Sequence, residues 1–267
     1  TPLYSSAASD VYKRQRNGQY MRNFYWCQPA LNFGFAKPEQ PWMLPTDHPD
    51  VLALREELKN VLRFWMDMGA DGFRADMAGA LVKNANITGN DQFFNVRDQG
   101  TKEFWRGIRQ LLMTEYPEAF MIAEWSYPKD ALDGLFHADF FHWFEGYNDL
   151  FQKESWRILN GYSEGNSFFD REGKGTITHF LKSYLDQYEA TKGKGYISLP
   201  LGNHDNARLG NRRSDDDLEI IYAFGLTMPG IPFIYYGNEI GMRQLGADWP
   251  QVEGAYKPRN GGRTPMQ

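Results

Sequence analysis

Three carboxylic acids stand where short apolar segments end, a position in which acids of an α/β protein can do chemistry. Asp76 ends the segment GFRAD, Glu124 follows FMIA, and Asp205 lies within GNHDN. Active sites of parallel α/β barrels lie at the carboxyl ends of the strands. Because the three acids follow three different predicted strands, we expect their side chains to converge on one pocket.

Arg74 and Asp76 are expected on the same face of their strand, because side chains alternate along a strand. Phe73 would then face the outer helices. A neighbouring guanidinium lowers the pKa of a carboxyl group and keeps it ionised, which suits a nucleophile. The alternative for Arg74 and Asp76 is a buried ion pair without any chemistry.

Glu124 stands between an aliphatic run and Trp125. Such surroundings, with another carboxylate nearby, raise the pKa of a glutamate and let it donate a proton. We expect Trp125 to line the same pocket and to contact the substrate. The alternative for Glu124 is an ordinary acid at a strand end that reaches solvent.

The segment GNHDN places polar side chains around His204 and Asp205. Turn chemistry accounts for its Asn and Asp residues but less well for the histidine. A His–Asp pair is weak evidence for a metal site when no second histidine stands at ligand spacing. No metal site is therefore predicted.

The elements that must position these acids alternate between helix and strand. Apolar residues at three- and four-residue steps predict a helix over 51–68 that stops at Gly69, where a left-handed cap is expected. Further helices are predicted over 101–116, 177–188 and 214–228, the last with a capping box from Ser214 and Asp217. Strands are predicted over 72–76, 120–125, 137–144, 196–201 and 230–236.

Strands separated by helices predict parallel strands and an α/β sheet or barrel. A closed eight-stranded barrel needs about 250 residues without large loops. This chain of 267 residues spends much of its length on loops. We therefore expect a partial (β/α)8 TIM barrel.

Composition narrows the classes of partner. The net charge of −5 disfavours nucleic acid, and no apolar run approaches the ~18 residues of a membrane-spanning helix. Cys27 is the only cysteine, which excludes a disulfide framework. The start of the chain lacks the pattern of a secretion signal, which favours a cytoplasmic protein. The 16% of aromatic residues fit a core rich in rings better than a site that stacks on sugars.

The order GFRAD, AEW, NHD along the chain resembles the α-amylase superfamily, glycoside hydrolase family 13. Three further segments agree: QPALN at 28–32 resembles a motif that follows the family's inserted domain, YYGNEIG at 235–241 a motif after its eighth strand, and GRTPMQ at 262–267 a segment of its α-glucosidase and trehalose-synthase-like members. The resemblance covers about residues 20–267.

The resemblance implies a role for each site residue. Asp76 would be the nucleophile, oriented by Arg74, and Glu124 the general acid and base. Asp205 would be a third carboxylate that holds sugar hydroxyls, and His204 would bind hydroxyls of the same sugar. No cofactor is implied, although a structural calcium ion occurs in this family.

The chain departs from the family pattern at several places. Ala30 stands where an acid is frequent, which loosens the link to oligo-1,6-glucosidases, and Asn238 replaces another frequent acid. The family's first motif is not found before Gln28. We therefore expect an internal fragment with about strands four to eight: residues 1–15 as a non-native or disordered tail, 16–47 as the end of the inserted domain B and a linker, and 48–267 as the C-terminal part of the barrel, truncated before its last helix.

The expected function is a retaining glycoside hydrolase that cleaves α-glucosidic bonds of oligosaccharides or starch-like glucans. The alternatives are an α-glucan transglycosylase or isomerase of the same family, and a catalytically inactive carbohydrate-binding homologue. The 267 residues by themselves are expected to be aggregation-prone and inactive, because a partial barrel exposes sheet edges and apolar surface.

Overall fold

The computed structural model describes residues 31–83, 98–142, 146–151, 167–171, 173–211, 213–245 and 261–266. The expected tail 1–15, Cys27 and the start of QPALN lie outside the described residues. The chain divides into two compact units, Thr1–Trp125 with Gly134–Phe136, and Ser126–Asp133 with His137–Gln267. We refer to them as unit 1 and unit 2.

The described residues of unit 1 form two α-helices, two strands and a 3-10 turn at Ala78–Ala80: α1 (Pro49–Asp67), β1 (Gly72–Ala75), α2 (Gln99–Glu115) and β2 (Phe120–Ala123). The strands pair in parallel, with Ala75 opposite Ala123. Helix α2 turns Phe104, Ile108 and Leu112 inward, where all three are buried. This is the apolar face that the three- and four-residue spacing predicts.

Helix α1 begins and ends with local hydrogen bonds. The His48 ring accepts a hydrogen bond from the Asp50 N–H at 3.2 Å at the start of the helix. At the end, the Gly69 N–H donates to the Met66 carbonyl oxygen and the Ala70 N–H donates to the Trp65 carbonyl oxygen. These are the two hydrogen bonds of a Schellman motif. Gly69 has φ 96°, so the predicted left-handed stop is confirmed.

The apolar stripe of α1 is mostly uncovered within the part of the chain that the structure describes. Val51 is the only buried residue of the helix. The exposed apolar side chains include Val61, Phe64, Trp65 and Met68, with Met68 69% exposed. The stripe thus fits a helix that packs on one face, and the described residues leave that face open.

Unit 2 contains α3 (Pro128–Ala131), β3 (Ala138–Phe140), α4 (Tyr147–Phe151), α5 (Ile177–Thr191), β4 (Tyr196–Leu201), α6 (Asp215–Thr227) and β5 (Ile231–Ile234). Strands β3, β4 and β5 pair in parallel in chain order. The predicted capping box is present: the side chains of Ser214 and Asp217 each accept the other's backbone N–H.

Aromatic rings form much of the core of unit 2. Phe151, Phe180 and Tyr184 are almost fully buried, and Phe180 and Tyr184 stack at 5.5 Å between centroids. The buried Tyr147 hydroxyl donates to the Pro200 carbonyl oxygen at 2.6 Å. A core rich in rings therefore accounts for a good part of the aromatic content.

The predicted parallel α/β organisation is confirmed within each unit, with corrections at element ends. The strand expected over 137–144 is limited to Ala138–Phe140, and 143–144 lie outside the described residues. The short helices α3 and α4 follow no periodic pattern and were not expected. None of the described helices combines the length and apolarity that a bilayer crossing requires.

Candidate active site

The parallel register of β1 and β2 brings Asp76 and Glu124 to the same edge of unit 1. Ala75 lies opposite Ala123, and the Glu124 N–H donates to the Ala75 carbonyl oxygen at 2.9 Å. The two acids are the next residues after this pair. Two segments that each end in an acid therefore place both acids at the carboxyl ends of neighbouring strands.

Arg74 bridges the two acids. One guanidinium nitrogen lies 2.7 Å from Asp76 Oδ1 and the other lies 2.9 Å from Glu124 Oε2. The alternation along β1 predicts the first contact. It does not predict the second, because that contact crosses to the neighbouring strand.

Glu124 is buried and accepts a further hydrogen bond from the backbone. Its side chain is 3% exposed, and its Oε2 also accepts the Met77 N–H at 3.2 Å. Met77 has φ 45°, a left-handed conformation that is uncommon for a residue with a side chain. The turn after Asp76 thus aims a backbone donor at the glutamate.

The pKa of Asp76 is raised, whereas its neighbour Arg74 predicts a lowered value. Partial loss of hydration raises the pKa of Asp76 above 3.8, the hydrogen bond from Arg74 opposes the rise, and the charge of Glu124 adds to it. The net direction is upward, because desolvation and the second carboxylate outweigh the guanidinium. The ionisation of Asp76 therefore depends on Glu124 as well as on Arg74.

Trp125 lies beneath the turn that follows Asp76. It is 2% exposed, and its ring meets Phe136 edge to face at 6.3 Å between centroids. A Cβ added to Gly79 would lie 2.4 Å from the indole Nε1, so the turn rests directly on the ring. In this structure Trp125 supports the turn and offers no open face, and its predicted contact with substrate stays a prediction.

Asp205 is placed in unit 2 by an Asx turn. The Asn203 side-chain oxygen accepts the N–H groups of Asp205 and Asn206, both at 2.8 Å. His204 Nε2 lies 3.5 Å from Asp205 Oδ2. Turn chemistry thus explains Asn203, as expected. The Asp205 side chain, which is 9% exposed, takes no part in the turn and makes a second contact.

Arg263 makes that contact, and no role was predicted for it. Its Nη2 lies 3.1 Å from Asp205 Oδ1, and its Nε donates to the His204 carbonyl oxygen at 2.8 Å. The arginine lies in the GRTPMQ segment, so the motif was the available signal. Because Asp205 belongs to unit 2, its convergence with Asp76 and Glu124 stays a prediction.

The described residues contain no candidate metal site. No group of three or more His, Cys, Asp or Glu side chains is arranged there to hold an ion. The acids are instead held by Arg74 and Arg263. This chemistry suits carboxylates that react or bind hydroxyl groups.

The comparisons with known proteins point to one family. The family model described as "Alpha amylase, catalytic domain" matches residues 35–267. The chain is 28% identical to a salivary alpha-glucosidase of Aedes aegypti, over 96% of this chain and 45% of that protein. It is 24% identical to the human amino acid transporter heavy chain SLC3A1, over 86% of this chain and 32% of that protein.

The fold has relatives among solved structures. The alpha-glucosyl transfer enzyme XgtA superposes with a TM-score of 0.59 and 18% identity, over 90% of this chain and 43% of that one. At this identity the likeness supports the fold only. The chain spans less than half the length of the relatives that it matches here.

Proposed function

Because the chain belongs to the alpha-amylase catalytic-domain family, we propose that the protein is a retaining glycoside hydrolase that acts on α-glucosidic bonds of oligosaccharides or starch-like glucans. The observation that carries the proposal is the contact of one guanidinium, that of Arg74, with both Asp76 and Glu124. Glycoside hydrolysis uses a pair of carboxylic acids, and here one cation contacts both members of such a pair at the same strand edge.

The first step divides the work between the two acids. Asp76, ionised, attacks the anomeric carbon while Glu124 gives its proton to the departing glycosidic oxygen, and a covalent glycosyl ester forms. The positive charge that develops on the sugar ring is stabilised by the Asp76 carboxylate. Arg74 holds an oxygen of each acid, so neither has to be repositioned as the bond breaks.

The second step reverses the roles. Glu124, now ionised, takes a proton from water, and the water attacks the anomeric carbon and releases Asp76. Two successive inversions leave the product with the anomeric configuration of the substrate. Asp205 serves in the proposal as the third carboxylate, which holds sugar hydroxyls, and His204 as a second group for those hydroxyls.

The raised pKa of Asp76 fits this cycle. The productive resting state has one proton on the pair, with Glu124 protonated and Asp76 ionised. The charge of Glu124 raises the pKa of Asp76, which opposes ionisation of both carboxylates at once. The pair can therefore keep the single proton that the first step consumes.

The test uses the intact protein and an aryl α-glucoside. Asp76→Ala should abolish turnover, and azide should restore release of the aryl group, because the anion enters the space of the lost carboxylate and forms a β-glycosyl azide. Asp71→Asn, just before the same strand, is the control and should keep the unmodified rate. Full turnover by Asp76→Ala would contradict the nucleophile assignment.

The relatives found here include an amino acid transporter heavy chain, so a catalytically inactive carbohydrate-binding homologue is the second candidate. The two acids and their shared arginine favour the enzyme. Calorimetric binding of maltose without any turnover of maltose or the aryl glucoside would favour the second candidate. A product glucan longer than the substrate would indicate transglycosylation, in which a sugar replaces water in the second step.

A further inference from the structure

Arg208 is a buried cation that the proposed reaction does not use. It stands three residues after Asp205 in the sequence, is 1% exposed, and is the largest fully buried side chain of the described residues. Its guanidinium lies over two tyrosine rings, 4.9 Å from the centroid of Tyr235 and 4.7 Å from that of Tyr236. Burial of a charge is costly, so a buried arginine needs strong compensation.

Most of the compensation for Arg208 comes from the turn after β5. Its Nη1 donates to the Tyr236 carbonyl oxygen at 2.6 Å and to the Asn238 side-chain oxygen at 3.0 Å. Asn238 in turn donates to the Leu201 carbonyl oxygen at the end of β4, at 2.8 Å. Nε and Nη2 have no hydrogen-bond partner within the described part of the chain. The guanidinium therefore holds the two segments that follow β4 and β5 together.

Tyr236 continues the connection to the GRTPMQ segment. Its hydroxyl donates to the Thr264 carbonyl oxygen at 2.5 Å. The preceding residue, Arg263, is the one that contacts Asp205 Oδ1 at 3.1 Å. Contacts thus run from Arg208 through Tyr236 and Thr264 to Arg263, and back to the segment that carries Asp205.

The ring faces of the two tyrosines reinforce this arrangement. Burial raises the pKa of Tyr235 to about 12, while the charges of Arg208 and Arg263 oppose the rise. The ring is therefore neutral at physiological pH, and the Arg208 guanidinium lies over it at 4.9 Å. A neutral, electron-rich ring is the partner that a buried guanidinium can stack on.

We propose that Arg208 is a positioning residue for the candidate active site: its guanidinium fixes Tyr236, and through Thr264 fixes Arg263 on the Asp205 carboxylate. The inference rests on the proposed function, because it assigns Asp205 a part in the reaction. Lysine cannot replace Arg208, since an ammonium lacks the planar fork that stacks on a ring while it donates to two oxygens.

The test is a double-mutant cycle in the intact protein, with an aryl α-glucoside as substrate. Arg208→Lys and Arg263→Lys are each expected to lower kcat/KM by about tenfold or more. The double variant should lose little beyond Arg263→Lys, because residues that act through one contact are not additive. Tyr236→Phe removes only the hydroxyl and is the second variant if Arg208→Lys folds poorly. Its loss of kcat/KM should likewise not add to that of Arg263→Lys.

Arg213 provides the matched control. It is a second buried arginine of unit 2, and its bonds go to Leu209, Phe151 and Phe169 carbonyl oxygens and to the Ser167 hydroxyl. Arg213→Lys should lower the melting temperature as a lost buried guanidinium does. Its effect on kcat/KM, measured well below that temperature, should be small and additive with Arg263→Lys.

The outcomes distinguish a failure of the proposed function from a failure of the positioning role of Arg208. An unmodified protein without turnover contradicts the proposed function, and the positioning role fails with it. Where the unmodified protein turns over substrate, two results overturn the positioning role alone. One is unchanged kinetics in Arg208→Lys and Tyr236→Phe, and the other is a loss in these variants that adds to that of Arg263→Lys. An equal loss of kcat/KM in Arg213→Lys also overturns it, since general destabilisation would then explain the effect.

Discussion

Arg74 lies 2.9 Å from Glu124, which is on the neighbouring strand, while it also contacts Asp76 on its own strand. A single guanidinium thus contacts both acids. Its removal should affect the pH dependence of the reaction as well as its rate.

Arg74→Met should shift the acid limb of the kcat/KM profile to higher pH. The nucleophile must be ionised, so activity falls as the pH falls through the pKa of Asp76. That pKa already lies above 3.8, and the bond from Arg74 is the contribution that lowers it. Without that bond the pKa rises further and activity is lost at a higher pH. Initial rates measured from acidic to neutral pH, on both sides of the acid limb, report the shift.

The control for this shift is Arg106→Met, an exposed arginine on α2. Its profile should match that of the unmodified protein. An unchanged acid limb in Arg74→Met would show that Asp76 is not the group whose ionisation limits the reaction.

Gly79→Ala should destabilise the protein and lower kcat. The new Cβ would lie 2.4 Å from Trp125 Nε1, so either the ring or the turn after Asp76 must move. Overpacking of this kind costs about 1–3 kcal/mol. Thermal unfolding and steady-state kinetics measure the two effects.

Gly107→Ala is the matched glycine control, because nothing lies within 4 Å of its added Cβ. It stands inside α2, where alanine is favoured over glycine by about 1 kcal/mol. Its melting temperature should rise or stay unchanged. A Gly79→Ala protein as stable and as active as the unmodified one would contradict the tight packing of the turn on Trp125.

Asp205→Asn should raise KM and lower kcat together. The amide keeps the size of the side chain but loses the charge that Arg263 binds at 3.1 Å. Hydrogen bonds to charged groups contribute about 1.5–3 kcal/mol, so we expect a loss of at least tenfold in kcat/KM. Asp215→Asn, an exposed acid paired with Arg243, is the control and should have normal kinetics.

Ser214→Ala should lower the free energy of unfolding by about 1 kcal/mol, as the loss of a helix N-cap does. The Ser214 hydroxyl accepts the Asp217 N–H at 3.2 Å, and Asp217 Oδ2 accepts the Ser214 N–H at 3.0 Å. Urea unfolding at neutral pH measures the change. Glu219→Ala, at an exposed position of the same helix, should change stability by less than about 0.5 kcal/mol.

The capping box also predicts a pH dependence. Hydrogen bonds from Ser214 lower the pKa of Asp217, so its ionised form stabilises the folded state. That contribution is present above the pKa of an unfolded aspartate and is lost as the pH falls through the lower, folded pKa. The stability difference between Ser214→Ala and the unmodified protein should therefore shrink on acidification.

The 267 residues expressed alone should bind a hydrophobic dye and self-associate. Phe64 and Trp65 are 57% and 52% exposed on α1, and exposed apolar side chains next to one another favour association. Phe64→Glu should reduce dye binding and the fraction of large species in gel filtration, whereas Asn60→Glu on the same helix should not. A soluble, monomeric and active product would contradict the expectation.

Local order in the chain was predictable from the sequence because it depends on neighbours. The strand 196–201 is found with those bounds, since Gly and Lys residues before it and Gly202 after it leave only the apolar run to pair. The Gly69 stop and the Ser214–Asp217 box are likewise local, because each involves residues within one helical turn. The order of the short motifs also sufficed to identify the family, which the match over residues 35–267 confirms.

The contacts between distant residues were decided only by tertiary structure. The spacing of residues in the sequence does not predict the contact of Arg74 with Glu124 or that of Arg263 with Asp205. It also does not predict that Trp125 packs beneath Gly79. The direction of the pKa of Asp76 was misjudged for the same reason: its value depends on lost hydration and on a second carboxylate, and neither is encoded in the spacing of Arg74 and Asp76. Short-range patterns determine which elements form, whereas burial and charge balance exist only after those elements have packed.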